Sequence, residues 1–170
     1  MNFSEKTSEA LDLLVGKAFD LNRSFDRAVS IMQNKWCMPH ASDIIHHNLA
    51  HLFPLLADII SGFKDSWNVP TVYPETHKDN RDYINLAEMM NILHNEVLDF
   101  YLMIKMTYQI AEEEKDFNVM SMLVDFMNKI TVVISQTYTL KDKAEQLSTE
   151  FDVFDNHISD WGINGLNLGD

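Results

Sequence analysis

Apolar residues recur every three to four positions along most of this chain, which is the period of an amphipathic α-helix. The first stripe starts just after Ser4, a residue type that caps helix N-termini, and continues over about thirty residues to Trp36. Its apolar members are Leu11, Leu14, Val15, Ala18, Leu21, Phe25, Val29 and Met32. The pattern predicts one long helix that turns this stripe toward the core of a helical bundle.

A short turn at Cys37 and Met38 separates this helix from a second one that begins at Pro39. A connection this short makes the two helices antiparallel. Pro54 lies inside the second helix and should kink it, because proline has no amide hydrogen to donate. We expect the helix to resume and to end near Asp65. Its core side is formed by Ile45, Leu49, Leu52, Leu56, Ile59, Ile60 and Phe63.

Residues 67–80 contain two prolines and no helical period, which predicts a long connection. Fully extended, it reaches roughly 46–50 Å. A helix of about 26 residues is roughly 39 Å long, so the connection can return the chain along the bundle. It would make a third helix, at about 81–114, parallel to the second. A short charged turn then leads to a fourth helix at about 118–147.

The composition supports an all-α class, because only 5 glycines and 4 prolines interrupt 170 residues. We therefore predict that residues 1–148 form one four-helix bundle. Residues 149–170 are rich in Asp, Asn and Gly, and we expect a short tail that packs on the bundle or on a neighbouring subunit. The pattern leaves the role of this tail open.

Charge and cysteine content exclude several classes of function. A formal net charge of -13 argues against nucleic acid as a partner, since phosphate binding needs clustered Lys and Arg. Cys37 is the only cysteine, which excludes an intrachain disulfide framework and a cysteine-rich zinc site. No signal peptide is evident, and no apolar run approaches membrane-spanning length. We expect a cytoplasmic protein without a membrane partner.

The candidate chemistry lies on the second helix, which carries His40, His46, His47 and His51. At 100° per residue, a narrow stripe opposite the apolar side contains His40, His47, His51 and Asp58, with Asp43 beside it. Imidazoles at i and i+4 can share one metal ion. The sequence therefore predicts a divalent-metal site with His47 and His51 as ligands, and with Asp43, His40 and Asp58 as further candidates. The alternative is a set of solvated or interface histidines.

Other polar residues near the core stripes have simpler interpretations. Asn22 lies within the first stripe, where we expect a structural hydrogen bond. His94 lies beside the third stripe and is expected to be a hydrogen-bonded core residue. Glu88 and Glu96 fall on the far side of the third helix and are expected to be solvated. On the fourth helix, Tyr138 is expected to face inward.

The helix lengths and connections resemble the ferritin-like superfamily, over about residues 11–141. The likeness is greatest to its Dps-type mini-ferritins. It is carried by LDLLVGKAFDLNRSFDRAVSIMQNKW in the first helix, and by the Met and Leu positions, the AEE run and the Asp turn in LAEMMNILHNEVLDFYLMIKMTYQIAEEEKDFNVMSMLVDFMNKI. The resemblance implies a homo-oligomer that handles iron, with Fe(II) oxidation or storage as its chemistry. Whether this chain is an enzyme stays open.

The family's metal ligands are only partly present. Ferritins hold a di-iron site inside the bundle, with Glu on two helices and Glu-x-x-His on two others. The corresponding positions here are Lys17 or Ala18, Asn48-x-x-His51 and Thr131-x-x-Ile134, so we expect no ordinary site inside the bundle.

Dps-type proteins bind iron between two subunits, on the outer face of the second helix. Counting from Trp36, the family's second-helix His falls on His47 and a nearby acid on His51. Lys35 replaces a family His and would oppose a bound cation. The resemblance thus implies an inter-subunit site on the second helix. The alternative is a structural or oligomeric module that has lost the di-iron centre.

Overall fold

Long helices account for most of the computed structural model, which describes residues 3–167. Among these residues there is no strand, and the all-α prediction is confirmed. The elements in order are α1 Glu5–Asn34, α2 Pro39–Ile45, a π-helical turn His46–Ala50, α3 Leu52–Ser66, α4 Leu86–Glu114, α5 Phe117–Gln146, α6 Phe151–His157 and a 3-10 turn Ile158–Trp161. The segment from α2 through the π-helical turn to α3 is the predicted second helix, here called the second rod.

Side-chain caps mark the starts of two of the long helices, α1 and α4. Ser4 caps α1, since its hydroxyl accepts a hydrogen bond from the Thr7 amide at 3.1 Å. Helix α4 begins at Leu86, because the Asn85 side chain accepts a hydrogen bond from the Glu88 amide at 2.9 Å. The predicted start at position 81 was therefore wrong by five residues.

The core lies between two helix pairs, α1 against the second rod and α4 against α5. Phe25 of α1 packs on Phe53 of the second rod with ring centroids 5.1 Å apart. Phe100 of α4 and Phe126 of α5 meet edge to face at 6.1 Å. These four rings are almost fully buried, and burial of such rings is a large part of the stability of a bundle.

A buried ion pair joins the bundle to the long connection. The ammonium of Lys64, whose side chain has no exposed surface, donates a hydrogen bond to the Asp12 carboxylate. The same carboxylate accepts a hydrogen bond from the Val72 amide at 3.1 Å. One carboxylate of α1 therefore binds both the end of α3 and the start of the connection.

The connection is held farther along by Arg81. Its guanidinium binds Asp79, Ser24 of α1 and Glu96 of α4. Burial raises the pKa of Asp79, but hydrogen bonds from Arg81 outweigh this effect and hold that pKa below its ordinary value. The expectation that Glu96 is solvated was wrong, because its partner lies in irregular chain that no helical pattern predicts.

The tail packs against the start of the second rod. Phe151 stacks on Trp36 with ring centroids 4.8 Å apart. The Asp155 carboxylate accepts a hydrogen bond from the Ala41 amide at 2.7 Å. Ala41 lies in the first turn of α2, whose preceding residue Met38 provides no side-chain cap. A residue of the tail thus caps α2.

The last described residues cross from the second rod to α5. The Asn48 side-chain amide donates to the Ile163 carbonyl at 2.6 Å. The Gln136 side chain makes two hydrogen bonds to the backbone of Gly165, at 2.8 and 2.9 Å. Gly165 has a positive φ of 66°, and a Cβ built on it would lie 2.4 Å from the Asn48 carbonyl oxygen. This close approach and this backbone conformation both require glycine.

Helix α5 has apolar side chains on two sides. In the described part of the chain it is the one helix that is long and apolar enough, by length and composition, to cross a membrane. The expectation that no apolar run approaches that length was wrong here. Core helices of soluble proteins meet the same criterion, and α5 packs on α4. Its outer side exposes Val124 and Val132, and Tyr138 was wrongly expected inside, since it is 58% exposed.

His94 gives the fold a dependence on pH. Its ring is buried and lies 2.9 Å from the Thr137 hydroxyl, as expected for a core histidine. Burial, with a smaller effect of the Lys141 charge, lowers the pKa of His94 below its ordinary value of 6.5. The unfolded chain then takes up this proton at a higher pH than the folded protein. The free energy of unfolding should therefore fall as the pH drops below 6.5, until the pH passes the folded-state pKa.

We expect His94→Gln to remove this part of the pH dependence. Urea unfolding at about pH 7.5 and about pH 5.5 should show a smaller loss of stability in the variant than in the parent. His157→Gln, at an exposed position on α6, is the matched control and should keep the parental loss. An unchanged loss in His94→Gln would contradict the role of His94.

Candidate metal centre

The second rod contains a π-helical turn one turn before Pro54. The His51 amide donates to the His46 carbonyl at 3.1 Å, five residues back instead of four. Pro54 has no amide hydrogen for the Ala50 carbonyl, and the Asn22 side chain of α1 donates to that carbonyl instead, at 2.9 Å. Asn22 therefore makes the expected structural hydrogen bond. A kink was expected at Pro54; next to it the structure has this π-helical turn and a hydrogen bond from α1 to the carbonyl that Pro54 leaves free.

The π-helical turn brings three imidazoles together. In a regular α-helix, residues five apart differ in direction by about 140°. The wider turn instead places the ring centroids of His46 and His51 4.1 Å apart. The ring centroid of His47 lies 5.1 Å from that of His46 and 5.5 Å from that of His51. One ligand atom of each histidine lies within 4.8 Å of the others. We call these three residues the histidine triad.

The histidine triad is open to solvent, with His46 partly exposed and the other two exposed. Within residues 3–167 it is the one group of three or more His, Cys, Asp or Glu side chains close enough to hold a metal ion. Neutral imidazole is a ligand for several divalent transition metals. The geometry therefore supports a surface site that leaves coordination positions free.

Two carboxylates contact the histidine triad from different helices. Asp26 of α1 lies 3.2 Å from Nδ1 of His46, and Asp43 of α2 lies 3.3 Å from Nε2 of His47. A carboxylate only accepts hydrogen bonds, so each of these ring nitrogens carries the hydrogen when the pair forms. The opposite nitrogen of each ring is then free to bind a metal, as in metal sites where a carboxylate accepts a hydrogen bond from a ligating histidine.

The structure unites some of the predicted ligands and separates others. It brings His47 and His51 together, and Asp43 contacts His47. His40 lies by the tail instead, 3.4 Å from the Asp155 carboxylate. Asp58 is exposed on α3 and is outside the group that could hold an ion.

Sequence reasoning missed His46 because a period of 3.6 residues points its ring away from that of His51. The spacing His-His-x-x-x-His, followed three residues later by Pro54, is the signal that could have found it. Lys35 was expected to oppose a bound cation. Its ammonium binds the Asp82 carboxylate of the connection at 2.7 Å, so its charge is paired.

The positions at which the resemblance implies a site inside the bundle make other contacts here. Asn48 binds the tail, and His51 belongs to the exposed triad. The exposed Thr131 hydroxyl donates to the Met127 carbonyl of its own helix at 2.9 Å. Ala18 is fully buried among apolar residues. None of these side chains offers a carboxylate.

No protein-family model matches the sequence, and no curated protein matches it either. Among solved structures, the chain is similar to a novel open pore ferritin from the hyperthermophilic archaeon Archaeoglobus fulgidus. The TM-score is 0.86, and the match covers 93% of this chain and 97% of that chain at 12% identity. The predicted ferritin-like four-helix bundle is therefore confirmed as the fold of this protein.

Proposed function

We propose that this ferritin-like protein binds a divalent transition-metal ion on the outer face of its second rod, through His46, His47 and His51. The observation that carries the proposal is the convergence of three ligand atoms to within 4.8 Å of one another. Asp26 and Asp43 support it, since each contacts one ring of the triad. A net charge of -13 favours the approach of cations.

The resemblance to Dps-type proteins suggests iron as the cation, Fe(II) oxidation or storage as the activity, and an inter-subunit site. We propose a cytoplasmic homo-oligomer that does not bind nucleic acid. Exposed apolar side chains on α4 and α5 support contact with a second copy, namely Leu102, Met106, Val124 and Val132. An open triad is also compatible with a ligand from that second copy.

A second candidate is a structural or oligomeric module that holds no metal. The observation that favours it is the missing Glu-x-x-His motifs, since Asn48-x-x-His51 and Thr131-x-x-Ile134 stand where the resemblance implies them. This candidate differs from the first in one respect that can be measured, because it should behave as an oligomer without stoichiometric metal binding.

The test is to titrate metal-stripped protein with Zn²⁺ and with Fe²⁺ and to measure the metal bound per chain. We expect saturable binding of at least one ion, and a loss of affinity on the order of 100-fold in the His46→Ala/His51→Ala double variant, because one imidazole alone remains. His157→Ala, outside the triad, is the matched control and should bind like the parent. Binding that is absent, or equal in the double variant, would favour the metal-free module.

Aerobic addition of Fe²⁺ tests the activity that the resemblance implies. If the triad supports iron oxidation, the rate above background should disappear in His46→Ala/His51→Ala and persist in His157→Ala. Equal background rates in all three proteins would contradict ferroxidase activity at this site.

A further inference from the structure

We infer that the histidine triad takes a nitrogen-preferring cation, with Zn²⁺ as its representative, and that it does not take iron as its preferred ion. This inference rests on the proposed function and names the class of ligand for that site. It departs from what the fold suggests, and it is carried by the donor atoms that the structure brings together.

The three ligands are imidazole nitrogens, and no carboxylate belongs to the group. Ferritin-like iron sites instead use Glu on several helices, because carboxylate oxygens offset the charge of iron and suit its oxidised form. Three histidines with an open fourth position are a ligand set of protein-bound zinc. At a given nitrogen site, affinity also rises from Fe²⁺ toward Cu²⁺ and remains higher for Zn²⁺ than for Fe²⁺.

The nearby carboxylates are placed to contact the rings and not the ion. Asp26 lies at Nδ1 of His46 and leaves Nε2 of that ring as the donor. Asp43 lies at Nε2 of His47 and leaves Nδ1 of that ring as the donor. A carboxylate that accepts a hydrogen bond from a ligating imidazole orients the ring and strengthens the metal bond. We therefore assign Asp26 as a positioning residue that extends the site from the second rod to α1.

The spacing of the donors is compatible with a small tetrahedral ion after modest closure. Zn–N bonds of about 2.0–2.1 Å place tetrahedral nitrogen donors roughly 3.3–3.4 Å apart. One ring nitrogen of each histidine now lies within 4.8 Å of the others. His47 and His51 are exposed, so rotation of their side chains can close this difference without a change in the core.

The experiment compares Zn²⁺ and Fe²⁺ on metal-stripped protein without oxygen, by competition with a chelator of known affinity. We expect the Kd for Zn²⁺ to be at least about 100-fold lower than that for Fe²⁺. His51→Ala should abolish the tight binding of Zn²⁺. Fe²⁺ that binds as tightly as Zn²⁺ and is also lost in His51→Ala would overturn this inference and leave the proposed function standing. Binding of neither ion, or binding unaffected by His51→Ala, would overturn both.

Asp26→Asn tests the positioning role separately. We expect the affinity for Zn²⁺ to fall by about 10- to 100-fold, while the unfolding midpoint of the metal-free protein stays close to that of the parent. Asp58→Asn is the matched control, since Asp58 is exposed on the same rod and lies outside the group; its affinity should be unchanged. Equal affinities in Asp26→Asn and Asp58→Asn would refute the assignment of Asp26.

Discussion

Replacement of Asp12 by alanine is expected to lower the free energy of unfolding by about 3–5 kcal/mol. The substitution leaves the Lys64 ammonium without its carboxylate at a position that has no exposed surface. A buried charge without a partner is one of the few changes that destabilises a domain this strongly. The Val72 amide also loses its acceptor, so the start of the long connection loosens as well.

Urea unfolding followed by helical circular dichroism measures this effect. Asp12→Leu/Lys64→Met is the informative companion, because replacement of both partners by apolar residues removes the buried charge and should be much closer to the parent. Asp65→Ala is the control, since Asp65 is exposed and follows Lys64 directly. It should change the free energy of unfolding by less than about 0.5 kcal/mol. A loss below about 1 kcal/mol in Asp12→Ala would contradict this prediction, because the Lys64 ammonium would then have to reach solvent in the variant.

Gly165→Ala is expected to detach the end of the tail from the bundle. The new Cβ would lie 2.4 Å from the Asn48 carbonyl oxygen, a backbone atom of the π-helical turn. Alanine at a positive φ costs about 1–2 kcal/mol by itself. The clash adds to this cost, and the segment can avoid both costs only by giving up the two hydrogen bonds to Gln136.

Gly162→Ala provides a close control, since Gly162 has a φ of 68° and a Cβ there meets nothing within 4 Å. It carries the same backbone cost without the clash. Limited proteolysis should therefore cut the tail much faster in Gly165→Ala than in Gly162→Ala or the parent. Because Asn48 lies between the triad residues, Gly165→Ala should also weaken Zn²⁺ binding. Equal cleavage rates in the two alanine variants would rule out the clash as the cause.

The sequence predicts the long helices of this fold well, because each depends on a pattern of residues that are near one another in the chain. The apolar stripe of α1 repeats with the helical period, and Ser4 offers its cap within three residues of the amide that it binds. The long connection follows from its prolines and its reach. Such features need no knowledge of which helices become neighbours.

The candidate site is less predictable because its geometry depends on a departure from that period. His46 joins His51 only through the π-helical turn, and the Ala50 carbonyl in that turn is satisfied by Asn22 of another helix. The predictions for Glu96 and His40 were wrong for the same reason, because their partners come from other segments. Glu96 binds Arg81, and His40 lies against Asp155. In each case the deciding contact joins segments that a local pattern treats separately.

The cap on α2 has a consequence for how the protein is made. The Ala41 amide receives its acceptor from Asp155, 114 residues later in the chain. During synthesis the start of the second rod therefore leaves the ribosome long before its cap exists. The loop that this contact closes is among the longest in the fold, so its formation is slow compared with that of local helical turns. We expect the first turn of the second rod to become fully helical only after residues 151–157 have been translated, as a late step of folding.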